Sequence, residues 1–452
     1  MKLKMKNQFC PSNKQRNMKH KSLILITLLL LQTGTFAQEV LTLEQCKELA
    51  YQNNLKSKQA QANLEAAKET KKEAFTKYFP NVSATGSYFK MNKPLVDIEI
   101  NMPGLLPAPI PVSGIEDGYV GMAMAAQPIF AGGQIVNGNK LAQIGVDVSE
   151  LQRQKSIDDV SLLTEQYYYN LITLNEKTKT LNILDEQLSS IANDVQNAYN
   201  AGLCNKSDLL SIQLKQNEIK NNKIKVLNGQ KVLQMLLAQL MKVSTDSFLI
   251  DTNLSKQITL PEEVFIEPQA AVNNRIEMKL LDKNVEANHL QEKMKIGSYL
   301  PTVAVGATFV HNNVMEDFTK EEQSFGMLFA TVNVPISDWW GGTHAIRAQK
   351  AKRQMAEYQR QEAQEMLMIQ ISQVYSELME AYDQIKINQE SVAVAEENFR
   401  LNKDYFEAGT ITLSDLLNAQ SELQKSRDSY IESHSCYLSK LTEYKQMIGL
   451  SK

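Results

Sequence analysis

Cysteine is scarce. The chain of 452 residues holds four, Cys10, Cys46, Cys204 and Cys436, far apart and without metal-ligand spacing. That excludes a disulfide framework and a cysteine zinc site. The five histidines are equally scattered. There is no P-loop, no nucleophile elbow and no GxGxxG, so no catalytic site is legible and no cofactor is expected. A formal charge of −3 calls for no nucleic acid. Glycine and proline are sparse and gathered into a few short stretches, which leaves the remainder free to form long helices. After residue 40 no run is apolar for long enough to be a transmembrane helix. The eighteen methionines include Met355, Met366, Met368 and Met379 at helical spacing, which reads as packing and not as a soft-metal site.

The first 37 residues differ from the rest. Lys19, His20 and Lys21 precede the apolar run Leu23–Leu31, and small residues stand before Gln38. This is the pattern of a secretory signal peptide cleaved after Ala37. The long basic segment before it admits translation from Met18. Cysteine is absent just after the apolar run, which argues against a lipid anchor. Cys204 is expected to be a free thiol in an exposed turn.

What is present is a repeat. YNAGLCNKSDLL at Tyr199–Leu210 returns as YFEAGTITLSDLL at Tyr405–Leu417. Ala201 and Ala408, Ser207 and Ser414, and Gln213 and Gln420 are each 207 positions apart, as are Gln127-Pro128-Ile129 and Val334-Pro335-Ile336. Before these blocks the offset is 221, relating Tyr78–Val82 to Tyr299–Val303. The first copy therefore carries 14 additional residues in one loop. A unit this long is a structural half and not a solenoid repeat. The expected division is a signal peptide over 1–37, a first repeat over 38–242, a linker or equatorial segment over 243–267, and a second repeat over 268–452.

Each half reads helix, β-hairpin, very long helix, tight turn, helix. The hairpins are expected over 80–130 and 301–336, the long helices over 134–200 and 341–407, and the return helices over 205–242 and 412–448. Apolar residues alternate three and four apart along both long helices. One seam runs from Ile157 through Val160, Thr164, Tyr167, Asp185 and Ala192 to Tyr199. The other runs from Leu367 through Ile371, Val374, Leu378, Ala381 and Ile385 to Phe406. This is the spacing of coiled-coil packing. Of the Tyr167-Tyr168-Tyr169 run it puts Tyr167 on the seam.

The β segments Pro80–Phe89, Gly118–Phe130, Pro301–His311 and Phe325–Ile336 match the length of membrane-spanning strands. Phe325, Met327 and Phe329 share a face, and so do Val303, Val305, Ala307 and Phe309. The Pro-rich stretch within Met91–Asp117 favours an extended loop over a strand. Four strands cannot close a membrane barrel, which needs about eight, so chains must combine. Trp339 and Trp340, with Gly341-Gly342, end the fourth strand, and Phe130 with Gly132-Gly133 holds the matching place. These aromatics suit a membrane interface or a packed corner.

At the repeated turns, Gly202 and Gly409 can take the left-handed conformation that ends a helix. Asn205 or Ser207, and Thr412 or Ser414, can cap the next helix, with Asp208 and Asp415 near its first turn.

Taken together, the signal peptide, the duplication, the PIFAGG and PISDWWGG junctions, and the AGL…SDLL and AGT…SDLLNAQ turns resemble the TolC family of outer-membrane efflux channels. The resemblance spans nearly the whole mature chain. It implies a mainly α protein with a membrane β part. Two hairpins per chain would contribute to a homotrimeric 12-stranded barrel in outer-membrane lipid, above a long coiled-coil α-helical barrel in the periplasm. It implies a passive, non-enzymatic duct served by a periplasmic adaptor and an inner-membrane pump. Ala201, Gly202, Leu203, Ala408, Gly409 and Thr410 then match the adaptor-contact tips. Asp415 matches an acidic ring at the periplasmic gate, where three like charges would raise one another's pKa. Asn418 replaces a second acid found in some members, and Ile411 replaces an arginine. The other readings are a secreted coiled-coil structural or adhesion protein and an ordinary porin. The high helix content disfavours the porin.

Overall fold

The computed structural model describes residues 39–101, 108, 110–245, 248–252, 259–314 and 323–450. The signal-peptide segment lies outside the described residues. In chain order the elements are β1 (Glu39–Leu41), α1 (Leu43–Asn53), α2 (Leu55–Thr76), β2 (Asn81–Lys90), β3 (Val96–Ile100), β4 (Ile110–Gly114), β5 (Asp117–Ala131), α3 (Gln134–Asn200), α4 (Lys206–Met241), β6 (Phe248–Ile250), α5 (Pro268–Val272), α6 (Ile276–Gly297), β7 (Thr302–Asn312), β8 (Gln323–Asn333), α7 (Trp339–Glu407) and α8 (Leu413–Met447). Helices α3 and α7 have 67 and 69 residues, each roughly 100 Å at 1.5 Å per residue. The described residues fall into two compact units, one within Met1–Ala50 and Tyr167–Gln257, the other within Tyr51–Gln166 and Ile258–Lys452.

In the first unit, the last part of α3 returns through α4. Leu171, Leu181, Leu184, Leu188, Ile191 and Val195 are buried on α3, and Ile212, Ile219, Leu237 and Met241 on α4. Polar pairs cross between the helices: Lys223 to Asp185 at 2.9 Å and the Gln230 amide to Asn175 at 2.7 Å. The seam differs from the expected one. Tyr168 is buried, not Tyr167, and Leu184 and Ile191 replace Asp185 and Ala192. A straight helix repeats every 3.6 residues, so a face drawn at 3.5 drifts off register over many turns. Tyr168 has a second reason to be inside. Its hydroxyl donates to the Asp251 carbonyl at 2.8 Å, beside the parallel pair β1–β6. Parallel pairing joins Leu41 to Ile250, and the Tyr168 hydroxyl ties this short strap to α3.

The second unit contains the same device, 207 residues on. Leu367, Ile371, Val374, Leu378, Ala381 and Ile385 form the buried face of α7 against Tyr437, Leu441 and Tyr444 of α8. The segment before α6 lies across them. The Tyr437 hydroxyl donates to the Thr259 carbonyl, and the Ile266 amide donates to the Tyr444 hydroxyl at 3.1 Å. Tyr375, the counterpart of Tyr168, packs its ring between Phe265 at 4.8 Å and Tyr444 at 5.2 Å. Salt bridges knit neighbouring helices here: Lys155–Glu277 at 2.7 Å, Lys283–Asp147 at 2.9 Å, Arg353–Glu292 at 2.7 Å and Arg427–Glu396 at 2.6 Å.

The β part of this unit is one antiparallel sheet in the order β2–β5–β7–β8, with β2 and β8 at the edges. Pairing fixes its two faces. Val82, Ala84 and Tyr88 of β2 share one with Ala123 and Ala125 of β5, Val305 and Phe309 of β7, and Leu328 and Val332 of β8. Ser83, Thr85 and Ser87 lie on the other, with Met122, Met124, Thr308, Phe325, Met327 and Phe329. The two apolar rows noted in the sequence are thus on opposite faces, since Phe309 pairs with Gly326 and Phe325 with Val310. The Phe329 ring lies over Gly306, where a β-carbon would come within 2.4 Å of it.

The Pro-rich stretch is not wholly a loop. Val96–Ile100 and Ile110–Gly114 pair as an antiparallel ribbon beyond the ends of β2 and β5. Pro111 is tolerated because each strand of a two-stranded ribbon has one outward edge that needs no donor.

At the other end of the sheet, Gly132 has φ +58° and its backbone touches Gly297 at the end of α6. A β-carbon on Gly132 would stand 2.0 Å from the Gly297 carbonyl oxygen, whereas one on Gly341 meets open space in helical backbone. Gly132→Ala is therefore expected to destabilise the unit by at least about 1–2 kcal/mol from backbone strain alone. Gly341→Ala should stabilise by about 0.5–1 kcal/mol. Thermal melts of the two variants followed by circular dichroism check the opposite signs.

Candidate functional site: helix tips and strand-to-helix corners

Both repeated turns are built the same way from local forces. In the first unit the Gly202 amide donates to the Tyr199 carbonyl at 3.0 Å and the Leu203 amide to the Ala198 carbonyl at 2.8 Å. In the second unit the Gly409 amide donates to Phe406 at 2.9 Å and the Thr410 amide to Tyr405 at 3.0 Å. These are Schellman closures, and they need the positive φ that Gly202 (+75°) and Gly409 (+71°) supply. With its carbonyls satisfied, each helix can end abruptly and leave Ala201, Gly202, Leu203, Ala408, Gly409 and Thr410 exposed. Leu203 is 81% exposed, an unburied aliphatic side chain at the point of a turn.

The return helices start with reciprocal caps. The Asn205 amide donates to the Asp208 carboxylate at 3.2 Å. In the other turn the Thr412 amide and hydroxyl both donate to Asp415 Oδ2, at 3.0 and 2.7 Å, while the Asp415 amide donates to the Thr412 hydroxyl at 3.3 Å. This is a capping box closed by aspartate. The Thr412 hydroxyl, then its amide, hold the Asp415 carboxyl below the usual carboxylate range. Within one chain Asp415 is thus a cap and a fully exposed anion. The rise expected from a ring of three carboxylates is a property of three chains. Asn418 is exposed on the next turn. Below the second cap Leu413, Leu416, Leu417 and Leu423 are buried, so there SDLL encodes both the cap and the first turn of core, whereas in the first copy Leu210 is 49% exposed. Cys204 is free but half-buried, its thiol directed at the Val195 carbonyl at 3.5 Å, and not the exposed group expected.

The two strand-to-helix corners are not equivalent. Gly132 and Gly133 both have positive φ and precede α3, whereas Trp339, Trp340, Gly341 and Gly342 already belong to α7. The Trp339 indole donates to the Tyr299 carbonyl at 2.8 Å, and Gly342 leaves room for the Tyr299 ring. Trp339 is therefore a corner post. Trp340 is 83% exposed and Phe130 46% exposed. The distal rim of the sheet carries its own aromatic set. Tyr88 bonds Asp117 at 3.0 Å, and Tyr119 contacts His311, which bonds Ser324 at 2.8 Å.

Among the described residues no His, Cys, Asp and Glu cluster could hold a metal ion, and no helix is long and apolar enough to cross a membrane. The clefts are shallow and open, such as one of about 500 Å³ lined by Lys68, Lys72, Phe75 and Gln143. The molecule displays turns, struts and a sheet.

The outer membrane efflux protein profile matches residues 47–241 and again 268–450. The chain belongs to the outer membrane efflux protein family. Its two matched blocks are the two copies of the duplication. No curated protein sequence matches it. Among solved structures, VceC, an outer membrane protein of Vibrio cholerae, is similar with a TM-score of 0.73 at 14% identity, over 90% of this chain and 96% of that one. The CmeC outer membrane channel of Campylobacter jejuni gives 0.74 at 15%, over 91% and 87%. The MtrE outer membrane channel of Neisseria gonorrhoeae, in its open state, gives 0.69 at 13%, over 90% and 89%. At such identities the likeness is one of fold. Family membership makes the chain a non-enzymatic efflux duct of the bacterial outer membrane that extends into the periplasm.

Sequence reasoning found the glycine-ended turns but missed the apolar face of the ribbon. VDIEI alternates strictly, which is a strand signal that the nearby prolines outweighed.

Replacing Thr412 with Ala removes one arm of the capping box. First-turn amides of α8 should then exchange about fivefold faster, the equivalent of roughly 1 kcal/mol for a lost cap. Asp415 has a lowered folded pKa, so its contribution is full above the ordinary aspartate value and is lost as pH falls through the lower folded value. Hydrogen exchange corrected for its intrinsic pH dependence should show the first turn of α8 loosening in acid, with the effect abolished in Asp415→Asn.

Proposed function

We propose that three chains assemble into a passive export duct, joined to a periplasmic adaptor and driven by an inner-membrane pump. One observation carries this reading. The four-stranded sheet has two free edges, and from Asn81 to Phe89, Gly118 to Ala131, Thr302 to Val310 and Gln323 to Asn333 neither face holds a charged residue. Both faces expose large apolar side chains, among them Leu328 at 86% and Met327 at 52%. A sheet in water buries one face, and a sheet in lipid cannot leave edges open. Lipid outside and neighbouring sheets at both edges satisfy both demands. Three chains then give twelve strands, with β2 of one beside β8 of the next.

The face of Val82, Tyr88, Phe309 and Leu328 is the lipid side. The opposite face, with Ser83, Thr85, Ser87 and Thr308 among its methionines and phenylalanines, exposes its apolar side chains less and is assigned to the lumen. Trp340 and Phe130, at the helical end of the strands, fall at the inner interface, and Tyr88 and Tyr119 at the outer one. The strands lead directly into α3 and α7, whose coiled-coil packing suits a tunnel wall. Ala201–Leu203 and Ala408–Thr410 are the adaptor contacts. Because their backbone groups are already satisfied by the Schellman closures, a helical hairpin can dock on them without breaking structure. Asp415, with Asp208 and Asn418, lines the periplasmic gate, where cations are drawn to the carboxylates. The duct itself does no chemistry, so the free energy comes from its partners.

Adjacent residues on opposite faces test the membrane reading. Leu328→Arg places a charge in lipid, at about 2–4 kcal/mol near the midplane, and should abolish recovery of the protein from outer membranes. Met327→Arg, one residue away, should be tolerated. Equal tolerance of both would place the strands outside lipid. In planar bilayers Asp415→Ala should weaken block by multivalent cations. Unchanged conductance and block would remove Asp415 from the gate.

A further inference from the structure

The β3–β4 ribbon has two faces of opposite chemistry. Its pairs Val96–Gly114, Ile98–Val112 and Ile100–Ile110 make one face entirely aliphatic, while Asp97 and Glu99 occupy the other. Ile98 is 54% exposed, Ile110 47% and Ile100 37%, so among the described residues nothing covers the aliphatic face. The ribbon is also held in place. It springs from the ends of β2 and β5, through the Met91 amide to the Glu116 carbonyl at 2.7 Å and the Leu95 amide to the Ile115 carbonyl at 3.2 Å. Ile115, buried at 7%, has φ +65°, a conformation that β-branched residues adopt only when their surroundings impose it. A strained joint of this kind fixes the direction in which the ribbon leaves the sheet.

We propose that the aliphatic faces of the ribbons from three chains pack on one another at the outer end of the duct, each ribbon's partner being a second copy of this chain. This rests on the trimer reading above. Composition argues for this occupant. Segments that seat in a membrane surface carry basic and interfacial aromatic residues, and the paired strands VDIEI and IPVSG have neither. Their β-branched residues form flat rows that suit packing against identical rows. Size argues the same way. Five aliphatic side chains are far too few for a free-standing interface, but chains already joined by their barrel meet at high effective concentration and need little area. Among the described residues the second hairpin carries no such ribbon and there is one per chain, in keeping with a threefold cluster.

The test is oxidative cross-linking of the intact protein in outer membranes, in a Cys436→Ser background so that the exposed native thiol is silent. Ile98→Cys and Ile110→Cys should give a covalent dimer band on non-reducing gels within minutes of a mild oxidant. Glu99→Cys, on the opposite face, should give none. A protein that sediments as a trimer yet fails to cross-link through Ile98 and Ile110 overturns the proposal, as does equal cross-linking through Glu99. If no trimer is found by its mass in detergent, the duct reading fails, and this proposal falls with it for a distinguishable reason. An Ile98→Ser variant that assembles to the same mass, but loses protection of the ribbon amides from hydrogen exchange, gives the same answer without a thiol.

Discussion

Everything in this chain is arranged around backbone hydrogen bonds that one chain cannot complete. Strands β2 and β8 each present an outer row of amide and carbonyl groups with no strand partner among the described residues. In lipid each unpaired group costs several kcal/mol. The sheet is long enough to span a membrane, lacks charge between its rims and exposes apolar side chains on both faces. Its four strands are too few to close a barrel, which needs about eight. The duplication provides two hairpins, which is still short of closure, and the proposed association of chains would supply the remainder.

The helical part solves a different difficulty. A helix of nearly seventy residues has no core of its own and is held by what crosses it. Each unit uses a strap and a tyrosine. Tyr168 ties α3 to the β1–β6 pair in one, and Tyr375, Tyr437 and Tyr444 grip the segment around Phe265 in the other. The buried phenol satisfies a strap carbonyl or amide while its ring fills the helix groove. At the far ends the Schellman turns and capping boxes satisfy the backbone locally. The tips therefore stand exposed without orphaned polar groups, the condition a docking point must meet.

Much of this was legible in the sequence because it rests on local rules. The AG–SDLL turns follow from glycine's left-handed freedom and the cap that follows it, and both turns have that geometry. The seam from Leu367 to Ile385 was readable because packing against α8 keeps it in register. The seam through α3 was misread by one position at Tyr168, where a hydrogen bond to a strap distant in sequence decides which ring turns inward. The corners were misjudged because similar letters, Gly132-Gly133 and Gly341-Gly342, serve a left-handed turn in one place and a helix packed on Tyr299 in the other. The ribbon was hidden by prolines whose cost depends on which edge they face. Pairing partners, unlike caps, lie far away in the chain.

The central claim is that the sheet is completed by other copies of the same chain. The most direct measurement is the mass of the mature protein extracted from outer membranes in mild detergent, by light scattering corrected for bound detergent. Three chains per particle would give twelve strands and leave no edge unpaired, as the account predicts. A stable single chain, or a protein never found in the membrane, would contradict it and return the long helices to a soluble coiled-coil role.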